Sequence, residues 1–332
     1  MLTPLLIAVI LVALVTEFLN GSDDTGTALG AVVSSQALPV RTALAMASVF
    51  SFLGAMLNEG VALTMSKGLV SVVPGLEVLL AALLAAATWN FAMLMFEIPS
   101  SSSQALVGAL VGSVIYFLGA DVVLWQGVIE KVVIPIFAGP VAGFLIAGGI
   151  LKLILRIFAK SPYAKTNALL QKLQVFASVF MAYEYGSNDA QKAVGIITMA
   201  LVSGGIVDAD AAIPLWVKLL CAVTIVLATC IGGTKIMKTI GTGITKMTPE
   251  KGLASQLSSI VVIQGLTMFG APVSTSQVVA SATAGAATSK SIFSVRWSMV
   301  ADIVKSWFVT VPISAAMGFA FAWATAQIMM LF

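Results

Sequence analysis

GSDDTGTALG at residues 21–30 interrupts a long apolar run, and GSNDAQKAVG at residues 186–195 repeats it 165 positions later. A second pair follows in the same order, PSSSSQ at 99–104 and PVSTSQ at 272–277, offset by 173. Two different motifs recurring in one order predict a chain of two homologous halves. The repeated elements are also the polar ones, so the fold turns on what surrounds them.

What surrounds them is apolar. Of 332 residues 59% are hydrophobic and 9% charged, with a mean hydropathy of +1.06, whereas a soluble domain carries about 25% charged residues. A soluble globular protein is excluded. A bilayer-spanning helix needs about 20 apolar residues, so the length suffices for about ten, and the predicted class is an all-α polytopic membrane protein. The chain has no histidine, and Cys221 and Cys230 share one apolar run, about 13 Å apart at 1.5 Å rise per residue, beyond disulfide reach. Metal clusters, Cys/His nucleophiles and a disulfide framework are therefore not expected, and no basic stripe points to nucleic acid. The first 20 residues lack a basic n-region and a small-residue cleavage site, and read as a retained membrane segment.

Apolar stretches run at about 2–20, 42–58, 78–96, 104–120, 132–151, 173–185, 212–232, 253–269, 276–288 and 307–332. Several are short or broken by Gly, Pro and Ser, as in re-entrant helices shielded by protein. Segment 152–172 holds Lys152, Arg156, Lys160, Lys165 and Lys172 and no acid, which marks it as cytoplasmic. Segments 36–41, 233–251 and 289–305 then also fall inside, giving 13 Lys/Arg against Glu250 and Asp302; 59–77, 121–131 and 204–211 fall outside with Lys67 and Lys131 against six acids. Both termini are predicted to be extracytoplasmic. The halves, 1–151 and 173–332 around a short basic linker at 152–172, would be inverted repeats with a binding site near the midplane, where their polar interruptions meet.

Six acids lie outside the loops, Glu17, Asp23, Asp24, Glu97, Glu184 and Asp189, together with Lys192; Lys218, beside Trp216, is expected to snorkel to a boundary. Each ionised group costs at least about 2.5 kcal/mol at the centre of a membrane helix, which marks intramembrane charge as functional by default. Asp23, Asp24 and Thr27 can share one helix face, and Asn188, Asp189 and Lys192 repeat the pattern. Gly21 and Gly186 permit a break in their helices where backbone carbonyls become free to coordinate. Carboxylate, amide and carbonyl oxygens suit a hard cation such as sodium; a buried carboxylate could carry a proton instead. The Pro/Ser breaks each precede a small-residue helix whose N-terminus favours an anion. Ser101, Ser102, Ser103 and Ser274, Thr275, Ser276 add hydroxyl donors suited to a tetrahedral oxyanion. Structural ion pairing and close helix packing are the bland readings of the same residues.

With these motifs the chain resembles the inorganic phosphate transporter (PiT) family, whose halves each carry a G-x-N-D type signature. GSNDAQKAVG and PVSTSQ match the second half closely, and LPVRTALAMASVFSFLGAML at 38–57 and GGTKIMKTIG at 232–241 extend the match along nearly the whole chain. The resemblance implies a cation-coupled symporter of inorganic phosphate in the cell (inner) membrane. It further implies inverted repeats, paired re-entrant hairpins and often a homodimer, with no cofactor beyond the coupling ion. Carried over by position, Asp24, Asn188 and Asp189 belong to the cation and phosphate centre, joined by Asp23 as a sodium ligand. Ser101 to Gln104 and Ser274 to Gln277 would hold the anion, with Thr27 and Lys192 beside it. The first half departs from the pattern, with Asp23 where the family has Asn or His, Thr27 where it has Asn, and PSSSSQ for P-V-S-T-T.

Alternatives within this fold are proton coupling and a sulfate or other oxyanion substrate. Phosphate's P–OH calls for an acceptor that sulfate does not need, and the nearby acids favour phosphate. An intramembrane aspartyl hydrolase built on Asp24 and Asp189 is the alternative from another class, and a passive anion channel a third.

Overall fold

The structure is a computed structural model that describes residues 3–96, 100–231 and 243–330. Glu97, Pro99 and the GGTKIMKTIG stretch lie outside the described residues. Among the described residues the fold is helical, with one isolated β-bridge between Val70 and Val123. The first half contains α1 (Pro4–Ser34), α2 (Val40–Leu57), α3 (Gly60–Lys67), α4 (Leu76–Met95), α5 (Ser102–Leu118) and α6 (Trp125–Ile157). The second contains α7 (Tyr163–Tyr185), a π-helical turn (Gly186–Ala190), α8 (Gln191–Ser203), α9 (Leu215–Ile231), α10 (Pro249–Met268), α11 (Thr275–Lys290) and α12 (Trp297–Met329). Among the described residues five helices, α1, α2, α4, α6 and α12, are long and apolar enough to cross a membrane. Their outer faces carry large apolar side chains, Leu11 57% and Leu145 65% exposed among them; so much exposed apolar surface marks an interaction face, here one suited to lipid.

Packing partners recur in the same order along the chain. α5 lies against α12 and α11 against α6; α4 also touches α12, and α10 touches α6. Likewise α1 packs on α4 and α7 on α10, α2 on α7 and α9 on α1. Each hairpin is thus held by the last long helix of the opposite half. Contact is backbone to backbone where glycine permits it: a Cβ on Gly112 of α5 would strike the Ala315 carbonyl, and one on Gly285 of α11 would strike Phe144. Small residues bring membrane helices this close.

Acid-rich segments are bonded to one another, and so are two of the basic ones. Lys67 pairs with Asp210 and Ser71 N–H donates to the Val122 carbonyl, joining the three acid-rich segments. Lys290 pairs with Glu250, and Arg296 N–H donates to the Ile244 carbonyl, on the basic side. One expectation changes: segment 152–172 is mostly helical, since α6 and α7 run into it and leave only 158–162 between them. Lys218 pairs with Glu59 of segment 59–77.

Candidate functional site

The break that Gly21 permits does not occur: α1 runs unbroken from Pro4 to Ser34. One glycine costs a helix only about 1 kcal/mol relative to alanine, and the long helix around it absorbs that. The Gly21 carbonyl nevertheless becomes a polar node, accepting from Thr25 Oγ1 at 2.6 Å and from the Tyr185 hydroxyl at 2.8 Å. Thr25 also meets Tyr185 at 3.1 Å and Thr229 at 3.2 Å. In the second half Gly186–Ala190 forms a π-helical turn instead of a break, a distortion that is frequent at functional sites.

α1 consequently presents Glu17, Asn20, Asp23, Asp24 and Thr27 into the protein, all buried. The π turn and α8 present Asn188, Asp189 and Lys192, each no more than 1% exposed. Asp24 lies within electrostatic reach of Asp23, Asp189 and Lys192, and Glu17 within reach of Asp189 and Lys192, so the two signatures form one charged cluster.

The Pro/Ser motifs end the two hairpins, α4–α5 and α10–α11. Ser101 and Ser274 sit at the N-caps of α5 and α11, and Ser101 Oγ accepts from Gln104 N–H at 3.2 Å. The residues after each cap reach in two directions. Ser102 Oγ donates to Asp24 Oδ2 at 3.1 Å, and Thr275 Oγ1 donates to Asp189 Oδ2 at 2.8 Å. Ser103 Oγ donates to the Val273 carbonyl at 2.8 Å, and Ser276 Oγ to the Ser100 carbonyl at 3.0 Å. Each hairpin tip is therefore bonded to its own half's signature and to the opposite tip, in matching positions. Ser274 and Ser276 hydroxyls lie 3.2 Å apart.

Several buried polar atoms here have no partner among the described residues: Asp23 Oδ1, Thr27 Oγ1, Asn188 Oδ1, and both amide atoms of Gln104 and Gln277. A buried unsatisfied polar group costs about 1–3 kcal/mol, so this concentration at one point calls for a ligand. The oxygens suit a hard cation; the two amides, Ser and Thr hydroxyls and two helix N-termini suit an anion. Lys192 is ion-paired with Asp189. Thus all fourteen residues singled out from the sequence are buried around the two helices and two tips.

Sequence reasoning missed Tyr185, Thr25 and Thr229, joined across more than 150 positions. It also missed Thr267, whose hydroxyl accepts from Asn188 Nδ2 at 2.9 Å. The polar letters beside the signature, Tyr185 above all, were the available signal. Of the acids without an assigned role, Glu184 accepts from the Gln264 amide once that amide is oriented to satisfy both its atoms. Glu17 has neither carboxylate oxygen partnered among the described residues.

Residues 20–318 match the sequence profile of the Phosphate transporter family. A Bacillus subtilis protein described as a probable low-affinity inorganic phosphate transporter is 38% identical over 317 residues, covering 95% of both chains. A Rhizobium meliloti protein of the same description is 34% identical and covers 94% of each. Among solved structures, one described as "The sodium-dependent phosphate transporter" superposes with a TM-score of 0.88 at 24% identity, covering 98% of this chain and 100% of that one; it shares the fold.

Proposed function

The chain belongs to the phosphate transporter family, and from that premise we propose that this multi-pass membrane protein imports inorganic phosphate together with sodium by alternating access. The family is one of transporters, which sets aside the hydrolase alternative. The observation that carries the proposal is the doubled contact of hairpin tip with signature, Ser102 to Asp24 and Thr275 to Asp189. Residues 1–151 and 173–332 are read as inverted repeats around this point, supported by the recurring motifs and the matching helix partners. A basic cytoplasmic side at 152–172, with both termini outside, rests on the distribution of lysine and arginine.

Chemically, phosphate needs donors for its oxygens and an acceptor for its P–OH. Ser101–Gln104 and Ser274–Gln277 offer the donors; the carboxylates beside them offer the acceptor. Asp23, Asp24, Asn188 and Asp189 offer oxygens for sodium, which offsets the anion's charge and brings the gradient's free energy. Sodium as the coupling ion draws on the sodium dependence of the structural neighbour and on the hard oxygen set. A site at the meeting point of two opposed halves lets rocking of one against the other expose it to either side in turn.

The test is uptake of radiolabelled phosphate into proteoliposomes under an inward sodium gradient, an inward proton gradient or neither, with unlabelled sulfate as competitor. Sodium-driven uptake that sulfate does not compete away is the expected result. Uptake driven by protons alone overturns the coupling ion, and sulfate transport without phosphate transport overturns the substrate.

A further inference from the structure

The motif alignment sets Asp24 opposite Asp189, Asp23 opposite Asn188 and Thr27 opposite Lys192. The two carboxylates are treated alike by the hairpins, each accepting one hydroxyl bond from the helix N-terminus that faces it. They differ in their counter-charge. Asp189 is ion-paired with Lys192, three residues on in the same signature, with the side chains 0% and 1% exposed. No Lys or Arg pairs with Asp23 or Asp24 among the described residues. Asp23 Oδ1 and Thr27 Oγ1, both more than nine-tenths buried, have no partner there, and in the second signature Ser187 Oγ, Asn188 Oδ1 and Gln191 Oε1 have none either, so the difference between the halves is the ammonium.

A buried carboxylate needs a positive neighbour, because removing an ion from water costs several kcal/mol. In the second half a covalently tethered ammonium meets that need and travels nowhere. In the first half no ammonium is bonded to either acid, Lys192 within reach of Asp24 being held by Asp189, while Asp23's own Oδ1 and the Thr27 hydroxyl stand ready to ligate. We propose that Lys192 is a built-in counter-ion occupying the place where the first half takes a transported cation, so that the protein couples through the first signature alone. Each phosphate is then accompanied by one cation fewer than two equivalent half-sites would take. This rests on the cation-coupled reading above and narrows it, leaving the transported cation to Asp23, Asp24 and Thr27 rather than to Asn188 and Asp189, and assigning Lys192 to Asp189 rather than to the substrate.

The ratio of sodium to phosphate is read from the reversal potential of flux in proteoliposomes holding set gradients of both ions. Lys192→Thr, which installs the first half's residue, is expected to raise the ratio by one sodium per phosphate. Asp189→Asn combined with Lys192→Thr, which removes the acid and the ammonium together, is expected to return it to the wild-type value. A Lys192→Thr ratio equal to wild type overturns the proposal. Should that variant fold without flux, equilibrium binding of radioactive sodium to the purified protein decides: one more sodium bound than by wild type supports the proposal, an equal number overturns it. Wild-type flux that ignores every cation gradient overturns the coupled reading instead, and the binding count still decides the role of Lys192.

Discussion

Between Gly21 and Thr27 the chain buries two carboxylates and no cation; between Gly186 and Lys192 it buries one carboxylate, two amides and one ammonium. Both stretches sit within long helical segments, and both carboxylates shared with the motif accept a hydroxyl from a hairpin tip. The backbones differ as well, an unbroken α-helix in the first case and a π-helical turn in the second. Asp189 has its counter-charge in its own signature, whereas Asp23 and Asp24 have none in theirs. On the proposal above, repeated motifs need not carry repeated chemistry, and the exchange of Thr27 for Lys192 divides the labour.

The largest expected effects come from removing one acid from each signature. Asp189→Asn strands Lys192 as a buried unpaired charge, a change that costs about 3–5 kcal/mol and lowers the unfolding midpoint in a thermal melt of the detergent-solubilised protein. Asp24→Asn strands no cation among the described residues, so its melt stays near wild type while sodium-driven uptake falls roughly hundredfold, the equivalent of about 2.7 kcal/mol. Equal destabilisation by both variants breaks the comparison.

Ser102→Ala and Thr275→Ala each remove one hydroxyl bond to a carboxylate, and a hydrogen bond to a charged group contributes about 1.5–3 kcal/mol. Each is expected to weaken phosphate uptake about tenfold, read as a rise in KM. If the tips serve their signatures alike, the two losses match; a loss confined to one tip breaks the symmetry of the anion site. Gln104→Leu and Gln277→Leu delete amides that have no protein partner in the described residues. Melts should therefore hold or improve while phosphate KM rises severalfold, whereas destabilised variants would mark these amides as structural. The smallest effect is expected of Tyr185→Phe, which removes the hydroxyl bond to the Gly21 carbonyl at about 1 kcal/mol and is checked by the same melt.

Much of this was legible from local chemistry. The recurrent motifs named the residues that meet, and Ser101 and Ser274 marked the starts of α5 and α11 because serine caps a helix well. The pairing of Lys192 with Asp189 was foreshadowed by their spacing, since positions three apart share a helix face. The helix through Gly21 was not legible: a glycine permits a break without requiring one, and the Tyr185 hydroxyl that engages its carbonyl comes from the other half. The π turn at Gly186–Ala190 and the crossed bonds Ser103 to Val273 and Ser276 to Ser100 were hidden for the same reason. They depend on contacts between distant stretches, which no local pattern carries.

The central claim is that cation and phosphate share one site completed by the first signature. Linkage makes it measurable without transport, because a cation bound more tightly when phosphate is present must tighten phosphate binding by the same factor. Titration calorimetry of phosphate onto the purified protein, with and without sodium, on wild type and on Asp24→Asn, reads that factor directly. The account predicts that sodium tightens phosphate binding in wild type and has no effect in Asp24→Asn. Phosphate affinity in wild type that is the same with and without sodium would contradict it.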